Sequence, residues 1–154
     1  MKLYKLEDKT LINTSMEHCW DFFSNPKNLP IITPEYLSFN IKNELPERMY
    51  EGLIIEYTVN PIMKVPLTWI SEITFMKKPF YFVDEQRFGP YKFWHHQHYF
   101  ENSSNGIIMK DIVYYSLHFS FIGKLVHSLI VRKKLEHIFQ YRKNIIDNLF
   151  NEES

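Results

Sequence analysis

Charged and apolar residues alternate with period two along KLYKLEDKTLIN, residues 2 to 13, which predicts a first strand. Thr14 and Glu17 then have the spacing of a capping box, in which each side chain reaches the other's backbone N–H and starts a helix. Met16, Trp20 and Phe23 fall on its buried face. The three prolines of SNPKNLPIITPEY forbid a long continuous helix but allow another short turn, so two short helices in a bent pair are expected. From Ser38 to Ser120 β-branched and aromatic residues dominate. Turn signals at LPERMYEG, NPIMKVP, KKP, FGP and ENSSNG divide this stretch into six strands with short connections, an antiparallel meander.

The stretch Ile112 to Val131 is nearly long enough to cross a membrane, with Lys124 as its only formal charge. Gly123 divides it: VYYSLHFSF before it reads as a strand, whereas Leu125, Val126, Leu129, Ile138, Phe139, Ile145, Ile146 and Leu149 follow a helical stripe. The expectation is a strand and then one helix over about 123–150, which would run ~40 Å at 1.5 Å per residue. The predicted fold is α+β: a curved antiparallel sheet of about seven strands around a long C-terminal helix. Residues 1–150 form a single domain and 151–154 a loose tail. A curved sheet wrapped around one helix leaves interior space, and aromatic residues at 17% with polar groups among them suit its lining.

Composition narrows the function. A chain of 154 residues removes roughly 70% of its unfolded surface from water, so it needs neither disulfides nor a structural metal. Lys plus Arg and Asp plus Glu both number 18, and this balance gives no basic excess for a nucleic-acid partner. Cys19 is the only cysteine, and MKLYKLEDKTLIN holds no apolar signal core; both features point to a reducing, cytoplasmic setting.

The densest chemistry is HHQH at 95 to 98. On a strand, Trp94, His96, His98 and Phe100 share one face, with Phe93, His95, Gln97 and Tyr99 on the other. In the preceding strand Asp84 and Gln86 are assigned to the chamber face beside His96 and His98, and His95 to the outside. Three readings follow. His-x-His supplies two metal ligands, but no third is identifiable, so neither a metal nor a cofactor is assigned. An imidazole with an ordinary pKa of ~6.5 exchanges protons near neutrality, which makes His96, His98 and the orienting Asp84 catalytic candidates. The third reading is a set of hydrogen-bonded polar spots in an apolar pocket, which recognise a ligand. Tyr57, Trp69, Tyr114 and Phe119 are further candidates for the lining.

Three segments resemble the SRPBCC superfamily, the helix-grip group of START lipid-transfer domains, pollen-allergen-like proteins, polyketide cyclases and aromatases, and coenzyme Q-binding proteins. They are WDFFSNPKNLPIITPEY, FVDEQRFGPYKFWHHQHYF, and DIVYYSLHFSFIGKL with LEHIFQYRKN. The chain is most similar to a bacterial ligand-binding branch labelled cell-division-inhibitor-like. That branch also occurs fused to epimerase-like domains, but this sequence has no GxGxxG. The resemblance implies a hydrophobic or amphipathic molecule held between sheet and helix, with Asp84, Gln86, Trp94, His96, His98 and Arg142 at the matched polar positions. A binder or carrier of such a molecule is the leading expectation. The alternatives are a cyclase, dehydratase or isomerase using His96 or His98, and a module docking a membrane or protein through RKK at 132–134 beside LVHSLIV.

Overall fold

The computed structural model describes residues 2–60, 65–118 and 124–151, without the side chains of 124–129 and 151. Strand β1 (Tyr4–Ile12) leads into helix α1 (Met16–Phe23). Ser15, not Thr14, caps α1: its extended backbone places Oγ 3.2 Å from the His18 N–H, which donates to it. Thr14 instead contacts the His18 ring, Oγ1 to Nδ1 at 3.1 Å. The second short helix resolves into two 3-10 turns, Pro26–Asn28 and Glu35–Leu37, because prolines restrict the residues before them and donate no N–H of their own. Asn25 caps the first of these turns through the Lys27 N–H.

Six further strands follow: β2 (Asn40–Ile41), β3 (Ile54–Val59), β4 (Leu67–Lys77), β5 (Tyr81–Phe88), β6 (Phe93–Ser103) and β7 (Gly106–Ser116). Consecutive strands pair antiparallel from β2 to β7, and β1 closes the order by pairing with β7, Ile12 opposite Ile107. Gly106, at φ +127°, turns the chain between β6 and β7; a Cβ there would collide with the Ile12 carbonyl oxygen, so the close approach of β1 depends on glycine.

Helix α2 (Lys124–Asn151) spans about 42 Å at 1.5 Å per residue. Leu135, Phe139, Ile146 and Phe150 are buried, while Leu149, expected on the stripe, is exposed. Leu125, Val126 and Leu129 belong to the side chains that are not described. Two buried clusters form in place of one continuous core. One joins α1, Phe82, Phe100, Ile146 and Phe150; the other joins Trp94, Val113, Tyr115, Leu135 and Phe139. Among the described residues, no helix is long and apolar enough to cross a membrane.

Candidate functional site

Residues of both clusters wall a cavity of about 470 Å³ between the sheet, the 3-10 turns and α2. This volume lies in the range of small-molecule sites, and the walls are mainly aromatic and aliphatic. Polar side chains concentrate where β5, β6 and β7 run side by side. Cross-strand register places Asp84 of β5 opposite His96, and Asp111 of β7 opposite His98. Period-two alternation turns all four side chains to the inner face.

The diagonal contacts are the shorter ones. His98 Nε2 lies 2.7 Å from Asp84 Oδ2, and His96 Nε2 lies 2.8 Å from Asp111 Oδ1. The directly opposite pairs are His96 Nδ1 to Asp84 Oδ2 at 3.5 Å and His98 Nδ1 to Asp111 Oδ1 at 2.9 Å. The last is close but off the line of a hydrogen bond, which leaves His98 Nδ1 without a well-directed acceptor. The imidazoles lie against each other, centroids 3.7 Å apart, and His98 stacks on Phe82 at 4.1 Å. Arg142 descends from α2, with its guanidinium over Phe139 and Nη1 3.5 Å from Asp111 Oδ1.

Burial raises the Asp111 carboxyl, but its contacts with His96 and His98 and the Arg142 charge outweigh burial and hold it far below the usual range. In Asp84 the same opposition, burial against the charges of His96, His98 and Arg142, also ends below the ordinary value. His98 is depressed by burial and raised further by Asp111 and Asp84, so it ends above its usual value. His96 ends below, because burial and the neighbouring His98 charge prevail over its carboxylates.

Accessibility separates the four. The Asp84 side chain is 19% exposed, against 6% for His96, 7% for His98 and 4% for Asp111. Since Asp84 lines the cavity, its carboxylate is the member of the cluster most open to a bound molecule. A second polar group lies on β3 and β4: Ser71 Oγ accepts from Trp69 Nε1 at 3.1 Å and sits 3.3 Å from the Tyr57 hydroxyl. Burial pushes the Tyr57 phenol well above its ordinary value.

Of the residues singled out in the sequence, Tyr57, Trp69, Asp84, Trp94, His96, His98 and Arg142 face the cavity. Gln86 does not. Its amide bends back to the β5–β6 turn, donating from Nε2 to the Tyr91 carbonyl at 2.7 Å and accepting from the Tyr91 N–H at 3.2 Å. Gly89 leaves room for it, since a Cβ there would fall 2.6 Å from the amide oxygen. Tyr114 lies on the outer face opposite His95, because the inward positions of β7 are Asp111, Val113 and Tyr115. His95 also faces outward, its Nδ1 2.6 Å from Glu85 Oε1. Phe119 lies outside the described residues.

Asp111 is the residue the sequence reading missed. Its signal was present: Ile107, Met109, Asp111, Val113 and Tyr115 form one alternating row, with a single acid among core residues.

No protein-family model matches the chain, and no curated protein matches it in sequence. Solved structures do match in three dimensions. The di-domain ARO/CYC StfQ from the steffimycin biosynthetic pathway superposes with a TM-score of 0.73 at 10% identity, over 98% of this chain and 52% of StfQ. The chain has the helix-grip fold. Two other solved structures match over nearly their full length. Ginseng major latex-like protein 151 from Panax ginseng gives a TM-score of 0.69 at 12% identity, with 96% of this chain and 97% of that one covered. The protein TTHA0849 from Thermus thermophilus gives 0.68 at 13%, with 93% and 97% covered.

Proposed function

We propose that this helix-grip protein binds or carries a hydrophobic or amphipathic small molecule, lipid-like or aromatic, in its internal cavity. The observation that supports this reading is the cavity of about 470 Å³, walled mainly by aromatic and aliphatic side chains, with Asp84, His96 and His98 together among its few ionisable groups. Such a site buries apolar area for affinity and uses a few polar groups for orientation. The StfQ likeness is in keeping with it at the level of fold. Kinship with the cell-division-inhibitor-like branch belongs to the same proposal and rests on the motifs around Asp84, Trp94, His96 and His98. Native mass spectrometry with organic extraction of freshly purified protein tests it. A co-purifying lipophile, or stoichiometric uptake of an environment-sensitive apolar dye that the lipophile displaces, is the expected result. A protein that neither retains a lipophile nor takes up the dye overturns the reading.

A second reading, an acid–base enzyme of cyclase, dehydratase or isomerase type, draws support from the Asp84–His98 contact. In that reading Asp84 touches the substrate, because the imidazoles are nearly sealed, and His98 acts behind it as a positioning residue. Docking through residues 132–134 has less support: Arg132 is held by Glu136 at 2.8 Å, and Lys134 turns to the cavity.

A further inference from the structure

His96 and His98 present four ring nitrogens, all within 2.7 to 3.5 Å of a carboxylate oxygen, but only His98 Nε2 to Asp84 and His96 Nε2 to Asp111 are directed hydrogen bonds. Carboxylates only accept, so a proton on each of the four nitrogens would require both rings to be doubly protonated, whereas the two directed hydrogen bonds need only one proton per ring. Two imidazolium ions with centroids 3.7 Å apart, almost without solvent, repel each other strongly. With one ring neutral, a nitrogen lone pair must face a carboxylate lone pair. The two contacts without hydrogen-bond alignment, His96 Nδ1 to Asp84 Oδ2 at 3.5 Å and His98 Nδ1 to Asp111 Oδ1 at 2.9 Å, are where this conflict falls.

A cation on the Asp84 side removes the conflict. Each imidazole turns one nitrogen to Asp84, which is open to the cavity, and the other to Asp111, which is sealed. If both rings are neutral with their protons on the Asp111 side, His96 Nε2–H donates to Asp111, His98 Nδ1–H lies 2.9 Å from the same oxygen but off the hydrogen-bond line, and the two lone pairs, His96 Nδ1 and His98 Nε2, converge beside Asp84 Oδ2. Donor atoms of Asp84, His96 and His98 lie within 4.8 Å of one another. Metal–nitrogen and metal–oxygen bonds of 2.0–2.2 Å at the tetrahedral angle place neighbouring donors roughly 3.3–3.6 Å apart. From Asp84 Oδ2, His96 Nδ1 at 3.5 Å already meets that value, and His98 Nε2 at 2.7 Å has to open by roughly 0.6 Å on binding. Asp111 then occupies the outer position of a carboxylate–histidine–metal arrangement, which fixes ring orientation and raises ligand basicity. Arg142 beside Asp111 balances the second carboxylate.

We infer that Asp84, His96 and His98 form a binding site for a first-row divalent cation such as Zn²⁺, with Asp111 as the residue that orients both histidines. Two imidazoles and one carboxylate suit zinc or a neighbouring transition metal rather than Ca²⁺ or Mg²⁺, which prefer oxygen. The accessible side of Asp84 leaves the remaining coordination position facing the cavity. The site does not depend on the ligand reading, and dye uptake by metal-free protein tests that reading separately.

The experiment uses the full chain after exhaustive chelation, titrated calorimetrically with Zn²⁺ alone, and Co²⁺ absorption as a second readout that needs no variant. One Zn²⁺ per chain is expected, with Co²⁺ giving d–d bands of imidazole and carboxylate coordination and no thiolate charge-transfer band. Asp84→Asn weakens Zn²⁺ binding at least tenfold, and Asp111→Asn weakens it about 10–100-fold through the histidines. The outer-face variant His95→Gln leaves it unchanged. Absence of stoichiometric Zn²⁺ binding, a Co²⁺ spectrum no different from the aqueous ion, or binding lost in His95→Gln but kept in Asp84→Asn overturns the inference.

Discussion

His98 Nε2 lies 2.7 Å from Asp84 Oδ2 although the residue directly opposite Asp84 in the sheet is His96, whose Nδ1 is farther away at 3.5 Å. The diagonal pairing interlocks three strands, since His96 makes the matching diagonal to Asp111 on the other side. A cluster built this way ties the register of β5, β6 and β7 together through side chains as well as backbone.

Asp111 and Asp84 therefore differ in what their removal exposes. Asp111→Ala leaves Arg142 and both imidazoles without their sealed partner, and the expected loss is about 3–5 kcal/mol, the cost of breaking a buried charge pair. Asp84→Asn keeps an acceptor of the same shape at the cavity surface and costs about 1–3 kcal/mol. Urea denaturation of the two variants, read by circular dichroism, checks the order; equal losses refute it.

The Cys19 thiol sits on the buried face of α1, and burial pushes its pKa up to about 12. It is expected to resist Ellman's reagent at pH 8 in the native protein and to react fully in denaturant. The same shift carries a stability consequence. Below about pH 8.5 both folded and unfolded chains keep the thiol protonated; above it the unfolded chain ionises first, so stability falls progressively as pH rises toward 12. Denaturation midpoints from pH 8 to 10.5 should fall less steeply in Cys19→Ala than in the natural sequence.

Much of the site was legible because strand alternation is a strong signal. Parity alone put His96 and His98 together and His95 apart from them, and placed Asp84 within one strand of both. Gln86 was misread because parity gives the face of a Cβ, not the course of a flexible side chain that meets the Tyr91 backbone before it reaches the cavity. Tyr114 was misread because Tyr114 and Tyr115 are adjacent aromatics, and only the pairing with β6 says which one turns inward. The cap moved from Thr14 to Ser15 because both offer a hydroxyl, and the backbone that ends β1 decides which one reaches an N–H. Asp111 was overlooked for want of a motif around it, although its place in an apolar row marked it.

Gly106 makes a separate prediction. Gly106→Ala forces a side chain into a positive-φ position against the Ile12 carbonyl, and the expected destabilisation is about 1–3 kcal/mol. Thermal unfolding measures it, and a variant as stable as the parent would mean that β1 can withdraw without cost.

Truncations near the cavity should be milder than truncations away from it. Leu135→Ala removes atoms that already border open space, so its cost falls at the low end of about 2–5 kcal/mol, whereas Ile146→Ala, buried with Trp20 and Phe150 away from the cavity lining, falls at the high end. Chemical denaturation of the pair tests this, and the reverse order would argue that the space beside Leu135 is closed in solution.

The placement of the tryptophans gives the molecule an optical property. Of the three in the chain, Trp20 is buried outside the cavity lining, while Trp69 and Trp94 meet edge to face at 5.2 Å on the cavity wall. Emission from the latter two should shift in wavelength or intensity whenever a guest replaces water against their rings, with Trp20 as a constant background. If the cavity takes up a guest, Trp69 and Trp94 report its occupancy, and libraries of untagged compounds can be screened on them without attaching a dye.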